Sequence, residues 1–139
     1  MRIYIAGPMT GLPDLNFPAF HAAAAALRAA GYTVINPAEL NSNPDASWYE
    51  CMRIDIREMI TCDSICLLPN WTMSRGARLE FHIAAQLNMQ ILDAATFIPA
   101  AVKVPAITGI NDAPGQHGWV VGMHEYIHHG QAQTTREPV

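Results

Sequence analysis

The chain has 139 residues, room for one domain with a core it can bury unaided and too few for two of ordinary size. Half of its residues are apolar and only 14% are charged, against about 25% in typical domains, which excludes disorder driven by charge repulsion. Eight Lys plus Arg against twelve Asp plus Glu give a net charge of −4, which offers no basic face to a nucleic acid polymer or an anionic membrane; the expected partner is a small molecule.

Taken in chain order, Arg2 to Ala6 is a short apolar run ended by Gly7-Pro8, a buried first strand entering a glycine-marked loop, GPMTGLP. A helix follows. Asn16 is placed to cap it, Pro18 suits its first turn, Ala19 to Ala30 propagates it, and Gly31 sits where a positive φ ends helices. Tyr32 to Ile35 reads as a second strand. After a polar loop over 38–46, Ser47-Trp48-Tyr49-Glu50 has the S-x-x-E form of a capping box and starts a helix reaching to about Cys62. Ser64 to Leu68 is a third strand, Pro69 to Gly76 a second glycine-containing loop, Ala77 to Asn88 a helix, and Gln90 to Leu92 the start of a fourth strand.

Apolar strands alternating with helices predict an α/β fold: a Rossmann-like (flavodoxin-like) parallel sheet with helices on both faces, in a single domain. From about Ala94 the prolines and glycines are too frequent for long elements, so the core is assigned to 1–93 and the remainder, 94–139, to an extension available for contacts between copies. Cys51, Cys62 and Cys66 form no C-x-x-C pair, and their odd number fits a reducing cytoplasm better than a disulfide framework. The N-terminal apolar run is too short for a signal peptide, and no stretch approaches the roughly 20 apolar residues of a spanning helix. The expectation is a soluble cytoplasmic protein.

Two acids stand where apolar residues belong. On a wheel at 100° per residue, Trp48, Cys51, Met52, Met59 and Cys62 lie within about 60° of Asp55, with Arg53 and Arg57 opposite. Glu80 is likewise surrounded by Gly76, Ala77, Ile83, Ala84 and Leu87. An unpaired carboxylate in such a place costs several kcal/mol or shifts its pKa, because an apolar face offers it no water. One explanation is structural pairing with Arg53, Arg57, Arg75 or Arg78. The other is function: in a doubly wound sheet, ligands bind beyond the carboxyl ends of the strands, and both glycine-marked loops leave the sheet at that edge. Neither loop matches G-x-G-x-x-G or a Walker sequence, which argues against a dinucleotide dehydrogenase or a phosphate-loop kinase.

At these residues the chain resembles the nucleoside 2-deoxyribosyltransferase-like superfamily, and within it short bacterial and phage proteins that carry a domain of unknown function. YIAGPMTG, INPAE, MRIDI, CDSICLLPNW and SRGARLEFHIA carry the resemblance, which runs from Met1 to about Leu92. It implies that Glu80 is the nucleophile attacking C1′ of a deoxyribonucleoside, that Asp55 contacts the substrate and assists the departing base, and that Tyr4 holds the nucleophile. It also implies homo-oligomers and no metal or organic cofactor. Carboxylates suit such chemistry because an N-glycosidic bond breaks through an oxocarbenium-like transition state that an adjacent carboxylate traps, with Glu80 ionised and Asp55 protonated.

The nucleotide-hydrolysing branch binds a 5′-phosphate through a Ser and an Arg in the first loop and a Ser in the second. Ser74 matches the latter, but Pro8 and Thr10 stand where the former would be. Substrate binding is therefore assigned to Gly7, Thr10, Trp71, Ser74, Arg75 and Gly76, with Trp71 a candidate to stack on a base. Deoxynucleoside and 5′-monophosphate, hydrolysis and transfer all remain open. The rival from another class is a nucleotide-binding module without turnover. A third reading takes His124-Glu125-Tyr126-Ile127-His128, which satisfies H-E-x-x-H, as a zinc site.

Overall fold

The computed structural model describes residues 1–98. Four strands, β1 (Arg2–Ala6), β2 (Thr33–Ile35), β3 (Ser64–Leu67) and β4 (Gln90–Asp93), alternate with the helices α1 (Phe17–Ala29), α2 (Trp48–Met59), α3 (Arg75–Gln86) and α4 (Ala94–Phe97). All the strands are parallel, in the order β2-β1-β3-β4, with Arg2 opposite Thr33, Ile3 opposite Ser64, and Ser64 opposite Gln90. This is the expected Rossmann-like α/β architecture. The connections step outward from β1 on one side and from β3 on the other, so the reversal of direction lies between these two central strands.

The strands are apolar because both sheet faces are covered. On one face Phe20, Ala23, Ala24 and Leu27 of α1, with Ala94 and Ile98, pack on Ile3, Ile5 and Cys66. On the other, Met59 of α2 and Ala77, Phe81 and Ala84 of α3 pack on Tyr4, Ile65 and Leu67. The His124 to His128 motif lies outside the described residues. Among the described residues no helix is long and apolar enough to cross a membrane.

Several boundaries follow from local chemistry. α1 ends in a Schellman motif: Tyr32 N–H reaches Leu27 O, Gly31 N–H reaches Arg28 O, and Gly31 takes φ +92°. Beyond β2, Asn36 is buried; its Oδ1 accepts from Ala38 N–H and its amide donates to Glu39, which also receives both arms of Arg28 at 2.9 and 2.8 Å. The capping box at Ser47 forms in full. α3 starts two residues before the expected Ala77, because Ser74 Oγ caps it by accepting Ala77 N–H at 3.2 Å.

Two expectations are corrected. Asn16 precedes α1 but its side chain does not cap it. Asp14, Leu15 and Asn16 have φ of 50°, 51° and 58°, and from this left-handed turn the Asn16 amide points back to Pro8 O at 3.0 Å, tying down the first loop. Leu87, expected on the apolar side of α3, is 56% exposed, because the helix has already ended at Gln86 and the chain turns away there.

Candidate active site

The site forms where β1 and β3 deliver their loops side by side. Leu68 N–H donates to Ala6 O at 2.8 Å, and the first loop leaves so close to β3 that a Cβ on Gly7 would stand 2.8 Å from Leu68 Cβ. Glycine is needed there for the approach. The second loop passes through Asn70 at φ 62° and a 3-10 turn over Trp71–Met73 before Ser74 opens α3. Between the loops and α2 lies a pocket of about 270 Å³, near the small end of the usual range for ligand clefts. Gly7 and Thr10 line it from the first loop, Cys51, Met52 and Asp55 from α2, and Ser74, Gly76 and Glu80 from the second loop and α3.

Glu80 is 5% exposed and Asp55 half-buried. Neither forms an ion pair among the described residues: Arg57 goes to Glu58 at 3.2 Å, and the Arg75 guanidinium stacks on the Trp48 ring, 3.8 Å from its centroid. The structural pairing that would have explained both acids is therefore absent among these residues. Among the described residues Glu80 has one donor, Tyr4, whose Oη gives a 2.6 Å hydrogen bond to Oε1. Tyr4 is wholly buried on the central strand; burial and the nearby carboxylates push its phenol well above its ordinary value, so it stays a donor.

Burial pushes both acids up. Glu80 rises to about 8, its loss of water outweighing the Tyr4 hydrogen bond, with the Asp55 charge adding to the rise. Asp55 rises to about 7 through burial. The sequence analysis expects an ionised Glu80 beside a protonated Asp55; burial favours the neutral form of both acids, and Glu80 is the deeper of the two. Near neutrality the two acids together hold about one proton or more.

Of the predicted site residues, the structure brings Gly7, Thr10, Asp55, Ser74, Gly76 and Glu80 to one pocket, with Tyr4 directly behind Glu80. Arg75 lines an adjoining outer cleft of about 580 Å³ together with Thr10, Trp48, Ser74 and Gly76. Trp71 is not brought there. It is 7% exposed and packs against Phe81 at 4.7 Å in the core, because the 3-10 turn directs its ring under the sheet edge rather than over the pocket. Conversely, Trp48, Cys51 and Met52 line the pocket and were not singled out as binding residues. The signal was available: all three share the face of Asp55, a face read as core throughout its length. Among the described residues no group of three His, Cys, Asp or Glu is placed to hold a metal ion.

A family model described as a domain of unknown function, DUF4406, matches residues 1–93, well over half of the chain. No curated protein matches it.

Proposed function

The chain belongs to the DUF4406 family, and for this member we propose cleavage or exchange of the N-glycosidic bond of a 2′-deoxynucleoside or its 5′-monophosphate, with Glu80 as nucleophile. The observation that carries the reading is Glu80 itself: a buried carboxyl, unpaired with any cation among the described residues, held by Tyr4 and lining a pocket with a second acid. The resemblance to nucleoside 2-deoxyribosyltransferases supports it independently. A cytoplasmic, homo-oligomeric enzyme is part of the same proposal.

Oε1 is taken by Tyr4, so Oε2 is the attacking atom. Its lone pair forms a bond to C1′ as the N-glycosidic bond breaks, and the electron pair of that bond leaves with the base. Asp55 gives its proton to the departing nitrogen. Water, or the nitrogen of a second base, then attacks C1′; the ester bond breaks, Glu80 regains its carboxylate, and Asp55 takes the released proton. The first step needs Glu80 ionised while Asp55 is protonated, and the second starts from the ester with Asp55 ionised. The positive charge developing at C1′ favours that arrangement, since it draws the anion to Glu80.

A second reading, a nucleotide-binding module without turnover, has one observation in its favour. Burial pushes Glu80 up to about 8, which favours its acid form near neutrality, and the acid form is no nucleophile.

The test incubates the protein and Glu80→Ala with deoxynucleosides and their monophosphates, with and without an acceptor base, and chromatographs the bases. Free base that depends on Glu80 is the expected result for hydrolysis, and base exchange for transfer. Ligand binding without turnover in either protein sinks the enzyme reading in favour of the module.

A further inference from the structure

Trp48 is the aromatic residue that both cavities share, and no role is assigned to it above. It opens α2 seven residues before Asp55, which returns it to almost the same meridian two turns, about 10 Å, nearer the helix N-terminus. Cys51 and Met52 fill the face between them, and all four residues line the pocket. The other aromatic side chain of that lining, Phe20, is wholly buried in the core. Among the described residues Trp48 alone offers ring surface there.

The ring is also held in place. The Arg75 guanidinium carbon lies over it at 3.8 Å from the centroid, and the Tyr49 ring meets it edge-on at 5.3 Å and 84°. Arg75 borders the outer cleft but not the inner pocket, while Trp48 borders both. Arg75 therefore braces the indole from the outer side. The inward side already suits a flat, delocalised group, since the same ring accepts a planar cation on its other side.

We propose that Trp48, backed by Arg75, is the stacking platform for the heterocyclic base, which lies between the indole and Asp55 with Cys51 and Met52 beneath it. The inference rests on the nucleoside reading above and makes Trp48 its specificity-determining residue. The sugar is then left at the Glu80 end, with C1′ facing the carboxyl and the base nitrogen within reach of Asp55.

The experiment uses the full chain carrying Glu80→Gln, which holds ligand without turnover. Deoxyadenosine, deoxycytidine and 2-deoxyribose are titrated while tryptophan fluorescence and Kd are read. Stacking contributes enough per base that Trp48→Leu should weaken deoxynucleoside binding about tenfold or more, while leaving 2-deoxyribose unchanged. Trp48→Phe should retain most of the affinity yet lose the fluorescence quench, and Trp71→Phe should keep both; this pair carries the test if the Leu variant does not fold.

Deoxynucleoside binding indifferent to Trp48, or a quench that survives Trp48→Phe, overturns the platform and leaves the glycosidic reading standing. Trp48-dependent binding together with no base release by the parent protein, Glu80 intact, overturns that reading and leaves the platform. Absence of any deoxynucleoside binding overturns both.

Discussion

Tyr4 Oη and Glu80 Oε1 lie 2.6 Å apart and join the centre of the sheet to α3 across 76 residues of sequence. A hydrogen bond to a charged group contributes about 1.5–3 kcal/mol, and this one favours the ionised form of a carboxyl that burial pushes the other way. Tyr4→Phe keeps the ring that fills the core and removes only the donor. Base release should fall by about tenfold to a hundredfold. The acid limb of the pH–rate profile should move to higher pH, because Glu80 then ionises later. An unmoved limb would show that the phenol only packs.

Stability should depend on pH through the same carboxyl. Between its ordinary 4.5 and about 8, native Glu80 keeps a proton that the unfolded chain has released. The native state binds more protons across that window, so stability falls as pH rises through it and is fullest below it. Asp55 adds a parallel loss that ends near 7. Glu80→Gln should therefore melt higher than the parent at pH 8 and close to it at pH 4. Thermal melts across that range check the sign.

Gly7→Ala places a methyl 2.8 Å from Leu68 Cβ, at a point where the backbone of β3 is tied to Ala6. Neither side has a flexible end to move. The expected cost is about 1–3 kcal/mol, a drop of several degrees in Tm, with a weaker ligand response because the first loop is displaced.

Ser47→Ala removes the capping box, in which Ser47 Oγ accepts Glu50 N–H at 3.3 Å and Glu50 accepts Ser47 N–H at 2.8 Å. About 1 kcal/mol of stability should be lost. The loss should be local, read as faster amide exchange in the first turn of α2, where Trp48 sits.

The fold was legible because its signals are local and agree with one another. Gly31 and Ser47 carry their cap chemistry in their identity, and the four apolar runs admit only a sheet covered on both sides. The two acids were legible as exceptions to helical periodicity. What periodicity does not carry is where a helix leaves the sheet: Met59 of α2 faces core while Trp48, Cys51 and Asp55, on the same stripe, face the pocket. Trp71 misled for the related reason that a loop aromatic is free to turn either way. How strongly burial raises each acid depends on its depth, which no spacing encodes.

The sheet order has a kinetic side. β1 emerges before the other strands in synthesis, yet its partners lie 31 and 61 residues later, Thr33 opposite Arg2 and Ser64 opposite Ile3. Until β3 arrives, β1 stands with an open edge, and non-local pairing of this kind is slow and exposed to aggregation. Tyr4 waits longer still, since Glu80 lies beyond β3. The carboxyl therefore emerges only after the phenol that holds it has been made.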